Sequence, residues 1–341
     1  MIDDLKFIHS KDTQDSLGVA AGQGRQLIYE FATPVAVETP KNIVFCGMGG
    51  SALQAKILRS WLDLPVPLEI VQGYDIPTYV DDQTLVIASS HSGNTEETVS
   101  CLQQAIDGGA VIAVSTSGGK LQEIARQHDL PVVLLPSGSQ PRYSVFYALG
   151  ALVSILGSAG VIDAQLVRAE LTATSAFIDE AAATWAADIP SANNPAKQLA
   201  KELAGKSAVV YGAEFMAPVA YMWKISLNEN AKNVAWKGQY PEANHNEMIG
   251  WVAQPVDKPY EVIDLRSSYE HQRNIARMQL TDKMLSGRRP KAHVVNAQGE
   301  SKLDQLLWAA AYGSFVSIYL ALINGVNPTP VELMERFKKQ L

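Results

Sequence analysis

The chain has 341 residues, 47% apolar and 18% charged, which is enough for more than one packed core and is the profile of an ordinary globular enzyme. A net charge of -7 argues against a general nucleic-acid partner and against anionic membranes, although backbone donors can hold an anionic metabolite whatever the overall charge. The two cysteines, Cys46 and Cys101, fall in apolar strand and helix patterns with no metal-ligand spacing, so buried reduced thiols are expected and no metal.

Residues 13–31 have the spacing of an amphipathic helix weakened by Gly18, Gly22 and Gly24. The acidic start Met1-Ile2-Asp3-Asp4 is unlike the basic start of a signal peptide, and a cytoplasmic protein is expected. Asn42-Ile43-Val44-Phe45-Cys46 then reads as a strand, followed at once by Gly47-Met48-Gly49-Gly50-Ser51 and helical spacing over 52–62. Strand, glycine loop and helix bring backbone N–H groups close to a phosphate or sugar. The loop lacks the GxGxxG pattern of a dinucleotide site and the Lys-Ser/Thr of a P-loop, so no cofactor is implied.

After a short strand at 68–71, Thr84-Leu85-Val86-Ile87-Ala88 reads as a buried strand, and 96–105 as a helix with an acidic first turn. Between them lies Ser89-Ser90-His91-Ser92-Gly93-Asn94-Thr95. Ser90, Ser92 and Thr95 put three hydroxyls on the turn, beside free helix N–H groups and the positive end of the helix dipole. A helix cap needs one hydroxyl and this turn offers three, which points to a phosphate monoester rather than to capping alone.

Strands at 110–116 and 131–135 flank a helix at 120–127. Alternating strands and helices imply a parallel sheet with helices on both faces, whose ligands bind where strands end and glycine loops begin. Gln140-Pro141-Arg142-Tyr143 opens the apolar helix 144–156, shorter than the roughly 18 residues that span a bilayer, so no membrane partner is expected. Arg142 reads equally as a surface arginine or as a group that holds a developing oxyanion. Residues 160–196 are Ala-rich and helical in pattern, a connection between domains. The second half repeats the strand-to-glycine pattern at 207–212, with a helix over 216–232, strands at 261–265 and 291–295, and an apolar helix at 303–324. The halves read as two copies of one fold, with no serine-rich glycine loop in the second.

Two further candidates lie in that half. Glu229 sits among apolar helix residues, where a buried carboxylate can act as a base, or it pairs with Lys232 or Lys224. Pro241-Glu242-Ala243-Asn244-His245-Asn246-Glu247 reads as a polar loop in which Glu242 or Glu247 could orient His245 as an acid or base, or in which His245 is merely solvated.

Together these residues resemble the bacterial and archaeal bifunctional phosphoglucose/phosphomannose isomerase family, built from two sugar isomerase (SIS) domains. The likeness runs along essentially the whole chain. It is specific at Gly47–Ser51, Ser90–Thr95, Pro141-Arg142, Asn228-Glu229, His245-Asn246-Glu247 and Gly325-Val326-Asn327-Pro328-Thr329-Pro330-Val331-Glu332. It implies an α/β fold of two SIS domains, each a parallel-sheet α-β-α sandwich, over 1–160 and 197–341, with 161–196 as a helical connection. It also implies a sugar-phosphate substrate, glucose 6-phosphate and mannose 6-phosphate interconverting with fructose 6-phosphate, and a homodimer. Phosphate contacts would come from Ser51, Ser90, Ser92 and Thr95, with Gly49 and Gly50 beside them. Glu229 would move the proton between C1 and C2, His245 would assist ring opening and Arg142 would steady the enediolate. A C-terminal lysine would complete the site: Lys338, four residues after Met334 and seven after Val331, shares their face, whereas Lys339 does not. The family usually carries Tyr where this chain has His91, and residues 160–196 and 266–300 show none of its motifs. The same scaffold also serves isomerases of other phosphosugars and amino-sugars, and sugar-phosphate sensors, which need the phosphate loop but no base.

Overall fold

The computed structural model describes residues 1–32, 39–252, 259–338 and 340. The chain divides into two compact units, one of Gln23–Ala176 and one that joins Met1–Gly22 to Phe177–Leu341. The N-terminal 22 residues thus pack with the second half of the chain, and the division falls inside a single helix, Ala164–Ala183, within the stretch read as a connection.

The first unit holds β1 (Asn42–Cys46), β2 (Leu68–Val71), β3 (Thr84–Ser90), β4 (Val111–Thr116) and β5 (Val132–Leu134). All are parallel, in the order β2-β1-β3-β4-β5. Every residue of β3 is buried, as the apolar run predicts for a strand covered on both faces. Cys46 on β1 and Cys101 on the helix Glu96–Asp107 are both buried free thiols in the core formed with Val44, Val86, Ala88 and Leu102. In this strand order the chain turns to opposite sides after β1 and after β3. A crevice therefore opens at the carboxyl ends of those two strands.

The second unit holds β6 (Ser207–Gly212), β7 (Ala235–Gln239), β8 (Tyr260–Arg266) and β9 (His293–Asn296), again parallel, in the order β7-β6-β8-β9. This matches the first four strands of the other unit, so the repeat read from the sequence is a repeat of topology. β7 was not evident in the sequence because Lys237 and Gly238 break its apolar pattern; pairing to β6 makes it a strand.

The longest helix, Lys302–Ile323, opens with a reciprocal capping box. Asp304 N–H donates to Ser301 Oγ at 3.0 Å and Ser301 N–H to Asp304 Oδ2 at 3.1 Å. It is long and apolar enough to cross a membrane, but 89% of its apolar window is buried inside the protein, so it is a core helix. Trp223 donates to the Ala309 carbonyl at 2.8 Å, and its ring lies where a Cβ on Gly313 would come within 2.4 Å. Only glycine lets this helix and Ala217–Glu229, which carries Trp223, approach there.

Two expectations need correction. The helix over 13–31 is broken into Ser16–Ala21 and Gln23–Gln26, with Leu5–Lys11 before them. Asp12 accepts from Ser16 N–H at 2.8 Å and Leu17 N–H at 2.9 Å and starts the second piece, and Gly22 ends it. The polar stretch 241–247 is also not a loop, because Ala243–Gly250 is helical.

The N-terminal segment is anchored by a buried lysine. Lys197 Nζ, fully buried, donates to Asp3 Oδ1 at 3.0 Å and to the carbonyls of Ala187 and Ile189, each at 2.8 Å. The Ser191 hydroxyl, with further help from Lys197, holds the Asp3 carboxyl at about 2, below its ordinary 3.8. Stability from this contact is therefore complete above pH 3.8 and is lost as the pH falls toward 2. Because about half of the Asp3 side chain faces water, screening leaves about 1 kcal/mol of it. In urea unfolding, Asp3→Asn should be less stable than wild type by that amount at neutral pH, and the gap should close between pH 4 and 2. A gap independent of pH would show that the charge does not hold the segment.

Candidate active site

The crevice of the first unit is lined by the two loops that the sequence singles out. After β1 the chain passes through Gly47 into a tight 3-10 turn at Gly49–Ala52, with Gly49 at φ +50. A Cβ on Gly47 would lie 2.9 Å from the Ser89 carbonyl, so the first loop runs directly against the end of β3. Ser51 Oγ accepts from the His91 N–H at 3.2 Å and ties the two loops together.

After β3, Ser90 Oγ lies 2.8 Å from Thr95 Oγ1 and 3.5 Å from Ser92 Oγ. Ser90 Oγ accepts from Gly93 N–H at 3.1 Å and Ser92 Oγ from Asn94 N–H at 3.3 Å; one hydroxyl proton is spent between Ser90 and Thr95, and the others remain as donors. Thr95 is the N-cap of Glu96–Asp107 yet makes no capping bond through its side chain. Its hydroxyl turns to Ser90 instead. The helix N–H groups and three clustered hydroxyls therefore remain together at the positive end of a helix, an arrangement that suits an anion and does not serve as a cap.

This turn is braced from the segment that follows β4. Ser117 N–H and Oγ both donate to the His91 carbonyl, at 3.0 and 2.6 Å, and Lys120 N–H donates to Asn94 Oδ1 at 3.0 Å. Burial holds the His91 imidazole below its ordinary value, against a pull upward from the Pro136 backbone. Its Nε2 is buried without a hydrogen-bond partner. Arg142, in the 3-10 turn Pro141–Tyr143, is only 2% exposed, which rules out the surface-arginine reading. Its guanidinium stands 4.8 Å from the Tyr143 ring centre and Nη1 donates to Gln140 Oε1 at 3.5 Å. A Cβ on Gly50 would lie 3.4 Å from Arg142 N, so the arginine turn and the glycine loop are neighbours.

Glu229, His245 and Lys338 belong to the second unit. Glu229 is half-buried and ends the helix Ala217–Glu229. The residues around it are held firmly. Asn228 Oδ1 accepts from Ala235 N–H at 2.9 Å, Asn230 donates to Ser317 at 2.9 Å, and Asn324 donates to the Ala231 carbonyl at 3.0 Å. Lys232 donates to the carbonyls of Asn327 and Pro328 at 2.8 and 3.1 Å, so part of the Gly325–Glu332 motif braces this turn. His245 is exposed on Ala243–Gly250. Neither carboxylate offered as its partner serves it: Glu242 accepts from Asn246 at 2.7 Å and Glu247 from the Tyr211 hydroxyl at 2.8 Å. Lys338 is the last residue of the helix Glu332–Lys338; its side chain, and Lys339, lie outside the described residues.

The crevice of the second unit, where β6 and β8 end, is filled from within. Glu270, 4% exposed, accepts from Phe215 N–H at 3.2 Å and Met216 N–H at 3.0 Å, just ahead of the helix Ala217–Glu229. A carboxylate of the chain itself thus holds the position that the other unit leaves to hydroxyls. Nothing in the sequence around Glu270 signals this, because its partners lie more than fifty residues away.

A family model described as the bacterial phospho-glucose isomerase C-terminal SIS domain matches residues 192–341. That span includes 266–300, where no motif could be read. A bifunctional phosphoglucose/phosphomannose isomerase of Caldicellulosiruptor bescii is 33% identical over 324 residues, 93% of this chain and 95% of that protein. The chain belongs to the bifunctional phosphoglucose/phosphomannose isomerase family. A D-glucosamine-6-phosphate 4-epimerase of Sulfolobus acidocaldarius is also 33% identical, over 67% of this chain and 72% of its own length. In fold, the chain is similar to a glucose-6-phosphate isomerase-like protein of Thermus thermophilus, with a TM-score of 0.67 at 17% identity, covering 100% of this chain and 99% of that one. The two parallel sheets are those of an SIS-domain α/β protein, and the chain is a phosphosugar isomerase of this family.

Within this family member the hydroxyl turn depends on one glycine. Gly93 has φ +69, and a Cβ there would lie 1.7 Å from the Gly118 carbonyl oxygen. Gly93→Ala should displace the turn and lower the unfolding free energy by about 2–3 kcal/mol. An alanine variant with wild-type stability in denaturant titration would mean that the loop tolerates another path.

Proposed function

We propose that this chain interconverts glucose 6-phosphate, and mannose 6-phosphate, with fructose 6-phosphate, as a cytoplasmic homodimer in central carbohydrate metabolism. The observation that carries the reading is the Ser90–Thr95 contact at 2.8 Å, with the helix N-terminus beside it left without a side-chain cap. The phosphate of the sugar takes that place, held by Ser51, Ser90, Ser92, Thr95 and the N–H groups of Gly49 and Gly50. His245 assists opening of the sugar ring. Glu229 takes the C2 proton of the open aldose, giving an enediolate, and returns it to C1, while the hydroxyl proton passes from O2 to O1. Arg142 offsets the charge that develops on the oxygens, and Lys338 completes the site. No step calls on a metal or a cofactor.

The similarity to a glucosamine-6-phosphate epimerase supports a second reading, in which the same phosphate loop and base serve an amino-sugar phosphate. A sensor without turnover would need the loop but not Glu229. The phosphate assignment predicts that Ser92→Ala and Thr95→Ala raise KM for the sugar phosphate more than they lower kcat. Each lost hydrogen bond to the dianion is worth about 1.5–3 kcal/mol. Inorganic phosphate should compete with substrate, and an unchanged KM without such inhibition would remove the assignment.

The base is tested by Glu229→Gln, which keeps shape and loses the proton acceptor. It should bind substrate almost normally while kcat falls roughly 10²–10⁴-fold. Exchange of the C2 proton with deuterated water, followed by NMR, should fall in parallel. Separate assays with glucose 6-phosphate, mannose 6-phosphate and glucosamine 6-phosphate distinguish the isomerase from the amino-sugar reading, and wild-type binding without exchange would indicate a sensor.

A further inference from the structure

The helix that carries His245 has only eight residues, Ala243–Gly250, and its N-cap makes no side-chain capping bond. A helix of that length has little stability of its own, so its seat comes from its neighbours. Glu247 Oε2 accepts from the Tyr211 hydroxyl at 2.8 Å, and the same oxygen of Tyr211 accepts from Trp251 Nε1 at 3.3 Å. Asn244 adds a second hook, donating to Thr281 Oγ1 at 2.8 Å.

Tyr211 is itself buried. It lies near the end of β6, 2% exposed, with the Arg289 guanidinium 5.6 Å from its ring centre and Arg289 paired to Asp282 at 2.9 Å. On β7, Gly238 makes room for the contact: a Cβ there would lie 2.2 Å from the Tyr211 ring and 3.0 Å from Glu247 Oε2. Burial, then the Glu247 charge, raise the Tyr211 hydroxyl above its ordinary value, so it remains a donor throughout the neutral range. Glu247 and His245 are two residues apart, and side chains so spaced do not face each other on a helix. The carboxylate therefore acts on the backbone that presents His245.

We propose that Tyr211 and Glu247 are positioning residues for His245, their hydroxyl–carboxylate bond fixing the helix against the end of the sheet. This rests on the reading of His245 as the ring-opening group. Tyr211→Phe removes the hydroxyl, and with it the Trp251 contact too, and Glu247→Ala removes the acceptor with the rest of its side chain. Each should lower kcat by about tenfold to a hundredfold, the scale of an ångström-sized displacement, with KM and inhibition by inorganic phosphate within about twofold of wild type. The double variant should lose no more than the worse single one, because one bond is broken in all three. Glu247→Gln, whose amide oxygen still accepts from Tyr211, should recover most of the rate.

Loss of rate in His245→Ala with a wild-type kcat in Tyr211→Phe would overturn the positioning role alone. Full activity in His245→Ala would overturn the reading of His245, and the positioning role with it. Should Tyr211→Phe fail to fold, the Glu247 pair decides. Recovery in Gln but not in Ala supports the bond, and equal loss in both assigns the effect to charge and rejects it.

Discussion

The first unit depends on the reversal of strand order between β1 and β3. Two parallel strands side by side send their chains to opposite faces of the sheet, and the space between the departing loops cannot be filled by either. Gly47–Ser51 and Ser90–Thr95 are the loops that leave at this point. Their glycines allow close approach, and their hydroxyls stand where the helix dipole is positive. Ser117 and the Lys120 N–H brace the arrangement from within the fold. Preorganised donors of this kind are the sort that stabilise charge at low reorganisation cost.

The same topology recurs in the second unit with the opposite outcome. There the equivalent crevice is occupied by Glu270, which satisfies the N–H groups of Phe215 and Met216 from within the chain. Burial raises the Glu270 carboxyl above its ordinary value, while those two N–H groups hold it down. One copy of the fold thus lines its crevice with hydroxyls, and the other uses the crevice to fasten the start of the helix that ends in Glu229. The repeat has been divided between a loop suited to phosphate and a frame that holds carboxylate and imidazole side chains.

That frame is built around the helix Lys302–Ile323. Trp185 packs edge-on against Trp308 and Phe315, Trp223 bonds to the Ala309 carbonyl, and Asn230 is held by Ser317. A half-buried glutamate at a helix end stays in one place because asparagines on both sides of it are locked. The N-terminal segment contributes to the same unit through Asp3 on Lys197, and Ser16 lies 2.6 Å from Thr329 between their hydroxyls. Residues distant in sequence therefore share one core.

Local chemistry was legible in the sequence. Apolar β-branched runs marked every strand but β7 among the described residues, and three hydroxyls on one glycine turn marked the cluster that forms at the end of β3. These are signals that neighbouring residues carry by themselves, through period, propensity and turn geometry. What the sequence could not decide was every feature that needs a distant partner. Among them are the pairing that makes β7 a strand, the helix at 243–250, the burial of Arg142 and the closing of one crevice by Glu270. Glu242 and Glu247 stand beside His245 in the sequence, yet they bond to Asn246 and Tyr211. Spacing along the chain says which side chains share a helix face, but only the packed structure chooses among hydrogen-bond partners, because a buried polar group takes the partner that the surrounding backbone brings within 3 Å.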